Sequence, residues 1–166
     1  MTTQAELYAF LEANGIPYQR FDHKAVFTTK ESSTLDPMPG ADTKNLFLRD
    51  EKERRHFLVT LPHEKSADLK ALKKLLDVSK LSFGSEERLL KHLGVTPGSA
   101  TILGALCDIE HAVEFILDAS FEKADALQCH PLTNTGTLVI PRGDLLRFLR
   151  LTGHEPRFLD VPSRSA

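Results

Sequence analysis

Residues 41–62 read ADTKNLFLRDEKERRHFLVTLP. Leu46 and Leu48 alternate with Phe47 and Arg49, the charged run DEKER (50–54) reads as a turn, and HFLVTLP (56–62) is rich in β-formers. That pattern predicts a β-hairpin. Lys44 and Asn45 stand at its mouth, where pairing and packing ask for neither a cation nor an amide.

Outward from the hairpin, helices and strands are interspersed. Upstream, Thr3 and Glu6 make a capping box, Leu7, Phe10 and Leu11 share one helical face, and Gly15 ends that helix. PYQRFDH (17–23) reads as a strand whose Pro17 favours an early or edge position. TTKESSTLD (28–36) begins with Thr28 as N-cap and predicts a short helix toward Pro37. Downstream, Asp68 or Ser66 caps DLKALKKLLD (68–77), with Leu69, Leu72, Leu75 and Leu76 as the apolar stripe. KLSFGS (80–85) is a short strand, and Ser85 caps EERLLKHLG (86–94), which Gly94 ends. GVTPGSAT (94–101) is loop, AVEFILDA (112–119) a strand, and ALQCHPLTNTGTLVI (126–140) two strands around a polar turn. RGDLLRFLRLTG (142–153) is a last helix with Leu145, Leu146 and Leu149 inward, and RFLDV (157–161) a closing strand. This order predicts one α/β domain of the mixed α+β kind spanning residues 1–166, a mixed sheet with helices packed on it.

Composition narrows the classes. The 166 residues fit one domain of about 100–200 residues. Hydrophobic residues make up 41% and charged residues 27%, which fits a soluble globular chain. With 21 basic against 23 acidic residues there is no global field toward nucleic acid, and no helix-turn-helix or basic helix, so DNA binding is disfavoured. No apolar run approaches the roughly 18 residues that span a bilayer, and the N-terminus lacks a basic region and cleavage site. No membrane association and a cytoplasmic setting are expected. The two cysteines, Cys107 and Cys129, form no CxxC and have no nearby histidine at zinc spacing. PHEKS (62–66) lacks the second histidine of HExxH, and there is no G-x-S-x-G, Walker or G-x-G-x-x-G stretch, so neither metal, cofactor nor protein nucleophile is expected.

Two further places can carry chemistry. The backbone of the glycine loop 94–101 can be an ordinary tight connection, or can leave N–H groups free for an oxyanion or carbonyl. His130 ends a strand just before Pro131, with Asn134 in the following turn. A histidine there is a hydrogen-bonded structural residue or a group orienting a ligand at a pocket mouth.

Taken together and in order, TKNLFLRD (43–50), FLVTLP (57–62), LLKHLGVTPGSAT (89–101) and CHPLTNTGTLVI (129–140) resemble the YbaK/prolyl-tRNA synthetase-associated editing-domain family, and most of all its free-standing branch that deacylates alanyl-tRNA(Pro). The likeness runs from the first helix through DLLRFLR (144–150). It implies a compact α/β domain around a mixed, barrel-like sheet surrounded by helices, acting in trans on the 3′ end of a mischarged tRNA. By the resemblance Lys44 is the catalytic residue. Asn45, the loop residues Gly98 and Ser99, and His130 bind substrate, with Asn134 and Thr28 completing the set. Where family members often read G-x-x-x-P, this chain has Ile102 in the proline's place, which removes that restraint on the loop.

The implied partners are the acceptor end of mischarged tRNA(Pro) and, with it, prolyl-tRNA synthetase. The local basic groups that face acceptor-stem phosphates are sought among Lys30, Lys73, Lys74, Arg147 and Arg150. The competing readings are a deacylase for another mischarged tRNA such as cysteinyl-tRNA(Pro), and a module that binds tRNA or an amino acid without hydrolysis.

Overall fold

A computed structural model of the chain describes residues 2–24 and 38–164. Thr28, Lys30 and the helix predicted over 28–36 lie outside them. Helix α1 (Gln4–Ala13) starts at the capping box of Thr3 and Glu6, and buries Leu7 and Leu11. Phe10 packs edge-on to Phe148 at 5.7 Å. Gly15 follows with φ +64°, which ends the helix where a side chain would be strained.

Strand β1 (Gln19–Asp22) pairs antiparallel with β7 (Gly136–Pro141), which pairs antiparallel with β6 (Ala126–Cys129). The hairpin strands are β2 (Lys44–Asp50) and β3 (His56–Leu61), in a register that sets Lys44 opposite Leu61 and Asn45 opposite Thr60. Its turn is tied by Asp50 Oδ1, which accepts from the backbone N–H groups of Arg54 and Arg55. Strand β4 (Leu81–Phe83) flanks β2, β5 (Val113–Asp118) runs parallel to β3, and β8 (Arg157–Leu159) runs parallel to β5.

The strands thus form a three-stranded and a five-stranded sheet where the sequence pattern predicts one. The seam is the short run before β2. Ala41 bridges Leu127 in parallel, exchanging backbone hydrogen bonds with Ala126 and Gln128, and the Thr43 hydroxyl donates to the Gln128 carbonyl. Three residues of loop therefore deliver β2 against the end of β6.

Strand alternation then divides the hairpin between two cores. Phe47 and Leu58 turn to a large core shared with α1 and with α4 (Arg142–Leu151). Leu48, Val59 and Leu61 turn to a smaller one covered by Leu72 and Leu76 of α2 (Leu69–Leu75) and its C-cap. The predicted stripe on α2 is narrower than expected, because Leu75 is 45% exposed. In α4 the inward residues are Leu145, Phe148 and Leu149, with Leu146 only half-buried.

Helix α3 (Glu86–Leu93) is capped by Ser85 and ended by left-handed Gly94. Its His92 packs at 4.8 Å on His56, which stacks on Phe47. Burial holds both imidazoles below their ordinary pKa, and nearby cations add to this: Arg88 for both, and Lys91 for His92. Among the described residues His92 Nε2 is buried without a hydrogen-bond partner. A lowered histidine leaves stability intact above the unfolded value near 6.5 and withdraws it as pH falls below that, since the unfolded chain takes up the proton first. The urea midpoint should therefore drop between pH 7.5 and pH 5.5. His92→Leu, which removes the orphaned nitrogen, should shrink that drop and cost no stability at pH 7.5, measured by urea denaturation; a loss above about 1 kcal/mol would contradict the reading.

Candidate functional site

The polar residues at the hairpin mouth have opposite duties because successive strand residues face opposite ways. Lys44 shares the pleat side of Leu46 and Leu48, toward α2, and its ammonium makes no ion pair or hydrogen bond among the described residues. Asn45 turns to the other side. Its Oδ1 accepts from the Thr60 hydroxyl at 2.7 Å and its Nδ2 donates to the Ala100 carbonyl at 3.1 Å. One carboxamide therefore ties both hairpin strands to the glycine loop.

That loop is more structured than its composition predicts. Pro97–Ser99 form one 3-10 turn and Ile102–Cys107 a 3-10 segment, with the buried Thr101 capping the second through its hydroxyl, which accepts from Leu103 N–H. Gly104 fits because a Cβ there would stand 2.9 Å from Leu93 Cβ and 3.0 Å from its carbonyl oxygen. Ile102, standing where a proline restraint was expected, is 2% exposed and anchors the loop by burial. The Ser99 N–H is not a free donor, since it donates to the Thr96 carbonyl at 2.9 Å. The Gly98 N–H and the Ser99 hydroxyl have no hydrogen-bond partner among the described residues.

The third component reaches the same corner through Thr43, whose bond to Gln128 sets the Lys44 end of β2 two residues from His130. His130 Nδ1 lies 3.2 Å from the Gly136 carbonyl. A carbonyl only accepts, so Nδ1 carries the proton and Nε2 is an acceptor. Burial holds this imidazole below its ordinary pKa, and the nearby His23 and His63 add to the effect, so it is neutral at pH 7. Both neighbours are positioned. His63 Nε2 donates to the Thr43 carbonyl at 2.7 Å, and His23 Nε2 lies 2.8 Å from the Thr137 hydroxyl. Asn134 sits half-buried in the turn between β6 and β7.

Sequence reasoning passed over His63, Thr60 and Thr43. The hairpin register was the signal that could have found them, because pairing Lys44 with Leu61 carries Asp42 to His63 and Asn45 to Thr60. Among the described residues no group of three histidine, cysteine or carboxylate side chains could hold a metal. Burial pushes the Cys129 thiol up to about 12, so it is not a thiolate nucleophile.

Two of the expected cations do other work. Arg147 donates to the carbonyls of Asn14 and Gly15 at 2.6 and 3.0 Å and pairs with Asp144, closing the end of α1. Arg150 pairs with Glu155.

The joint made by Asn45 predicts its own mutant. Asn45→Ala leaves the half-buried Ala100 carbonyl and Thr60 hydroxyl without their partner, so unfolding by urea should show a loss of about 1–3 kcal/mol, with increased amide exchange at residues 98–101. An unchanged midpoint together with unchanged exchange would remove Asn45 as the tie.

The aminoacyl-tRNA editing domain family model matches residues 23–148. A mouse prolyl-tRNA synthetase associated domain-containing protein 1 is 36% identical over 162 residues, covering 95% of this chain and 95% of that protein. The prolyl-tRNA editing protein ProX of Acetoanaerobium sticklandii is 34% identical over 163 residues, covering 97% of this chain and 99% of that one. A crystal structure described as a candidate trans-editing enzyme for prolyl-tRNA synthetase has the same fold, with TM-score 0.73 at 18% identity and 99% of each chain covered. Among the described residues no helix is long and apolar enough to cross a membrane. With matched elements spanning the hairpin, the glycine loop and the His130 turn, this chain belongs to the aminoacyl-tRNA editing domain family.

Proposed function

We propose that the protein is a trans-editing deacylase that hydrolyses the ester of alanyl-tRNA(Pro) in the cytoplasm, within a single domain. What supports this reading is the Asn45 carboxamide, which ties the hairpin mouth to the glycine loop at the Ala100 carbonyl, while Thr43 of the same strand end bonds to Gln128, two residues before His130.

The substrate explains why so sparse a site suffices. An aminoacyl ester is already activated, so water can attack its carbonyl carbon without a protein nucleophile. The oxyanion that forms takes a hydrogen bond from the Gly98 N–H, with the Ser99 hydroxyl beside it. The ester C–O bond then breaks, the 3′ oxygen of the ribose leaves with a proton, and alanine is released as its carboxylate. The neighbouring ribose hydroxyl orients the water. His130 Nε2, unprotonated at neutral pH, accepts from the aminoacyl ammonium or from that water. Lys44 holds the terminal ribose-phosphate on the far side of the strand. Asn45 acts through the loop as a positioning residue, because both ends of its amide are already engaged.

Alanine is the favoured aminoacyl group on physical grounds. A synthetase pocket large enough for proline rejects a smaller side chain by only about 1–3 kcal/mol, so alanine passes. A second site that admits alanine and is too narrow for proline completes a double sieve. The synthetase is then the natural source of the substrate and a candidate partner.

The test follows ester loss from alanyl-, cysteinyl- and prolyl-tRNA(Pro). Alanyl-tRNA should be consumed fastest and prolyl-tRNA spared. Lys44→Ala and His130→Ala should each lower the rate by roughly 10²-fold or more. Faster loss from cysteinyl-tRNA would move the specificity, and no loss from any of the three would remove the enzyme.

A further inference from the structure

Basic side chains in most of this fold are spent internally: Arg55 on Glu114, Lys65 on Asp118 and Asp160, Arg88 on Glu53. Helix α2 and its flanks gather several cations that are not. Residues 65–80 hold five lysines and two aspartates in a chain whose net charge is −2. Lys70, Lys73 and Lys74 have the i, i+3, i+4 spacing that puts them on one flank of the helix, turned away from the side on which Leu72 and Leu76 are buried. Neither they nor Lys80 make an ion pair or side-chain hydrogen bond among the described residues. Asp68 is occupied as the N-cap, accepting from the N–H groups of Lys70 and Ala71. Arg164 joins Lys70 in lining a shallow depression at the start of the helix, held there by its backbone bond to Ser66.

The position of this stripe relative to Lys44 gives it meaning. Helix α2 covers the sheet face toward which Lys44 projects, since Leu48 and Leu61 of that face pack on Leu72 and Leu76. Leu61, opposite Lys44, leads through residues 62–68 directly into α2, so Lys70 and Arg164 lie toward the Lys44 end. Lys80 lies toward the other, beside Leu81, which pairs with Asp50. The helix itself spans about 10 Å.

We propose that this lysine flank of α2, continuous with Lys44, is the docking surface for the phosphodiester backbone of the tRNA, laid along the helix so that its 3′ end arrives at Lys44. The identity of the polyanion rests on the editing reading above; the surface itself rests on unpaired charge. RNA fits better than an acidic protein, because protein interfaces need an apolar centre depleted of charge. Here Leu75 is the one exposed apolar side chain on α2. Phosphate contacts need only the cations.

The test measures binding of uncharged tRNA(Pro) by the full chain across a series of salt concentrations. Removing one lysine–phosphate pair should flatten the slope of log affinity against log salt by about 0.7–0.9. The triple variant Lys70→Gln, Lys73→Gln, Lys74→Gln should therefore bind more weakly, with a slope shallower by roughly 2–3. The control variant Lys91→Gln, Lys123→Gln, exposed lysines outside the stripe, should keep the wild-type slope. Glutamine is a good helix former, and an unchanged circular dichroism spectrum checks that α2 survives. An unchanged slope in the triple variant, an equal loss in the control, or no tRNA binding by the wild type overturns the proposal. Because no ester is read, a protein that binds this way but hydrolyses nothing would sink the deacylase reading and leave the docking surface standing.

Discussion

A single carboxamide holds the candidate site together. Asn45 accepts from Thr60 and donates to Ala100, so it is at once part of the hairpin and the clamp on the glycine loop. A serine or aspartate could not do the same, because the position needs a donor and an acceptor at opposite ends of one planar group. The loop's own turns then dispose of Ser99 N–H and leave Gly98 N–H unpartnered among the described residues. Everything proposed for the chemistry follows from which donor the clamp and the turn leave over.

The same strand that presents Asn45 to the loop must present Lys44 to the opposite side. Pleat alternation therefore separates two tasks that adjacency in sequence places together. Asn45 belongs to the face of the large core, with the loop, and Lys44 to the face covered by α2. In the proposed reading this division lets a site of near-neutral surroundings serve a polyanionic substrate, with the aminoacyl end assigned to the glycine-loop side of β2 and phosphate charge to the other. The neutral His130 fits that arrangement, since a charged imidazole beside an aminoacyl ammonium would repel it.

Much of this was legible in the sequence where a local rule governs. The capping box of Thr3 and Glu6, the Ser85 cap, left-handed Gly94 and the hairpin across 44–61 depend on neighbours in the chain, and all appear as read. What was not legible depends on partners far away in sequence. The parallel pairing of β3 with β5, the seam from Ala41 to Leu127 and the task of Arg147 at the end of α1 are set by tertiary packing. Leu75 fits the α2 periodicity yet is exposed, because it stands at the edge of the stripe that Leu69, Leu72 and Leu76 turn to the sheet. For the site, the family resemblance singled out Lys44, Asn45, the loop and His130, where residue types alone left a structural reading of each open. Only the register showed that Asn45 is a structural tie and that His63 fixes the carbonyl beside Lys44.

In the proposed site the Gly98 N–H and His130 Nε2 face the aminoacyl end of the substrate. The most direct measurement is an NMR titration with adenosine carrying alanine through a non-hydrolysable 3′-amide, following backbone amides and imidazole nitrogens. The expected result is a downfield shift of the Gly98 amide proton and a change at His130 Nε2, while the Ser99 amide, already bonded to Thr96, moves little. Saturable binding that leaves both Gly98 and His130 unperturbed would contradict it.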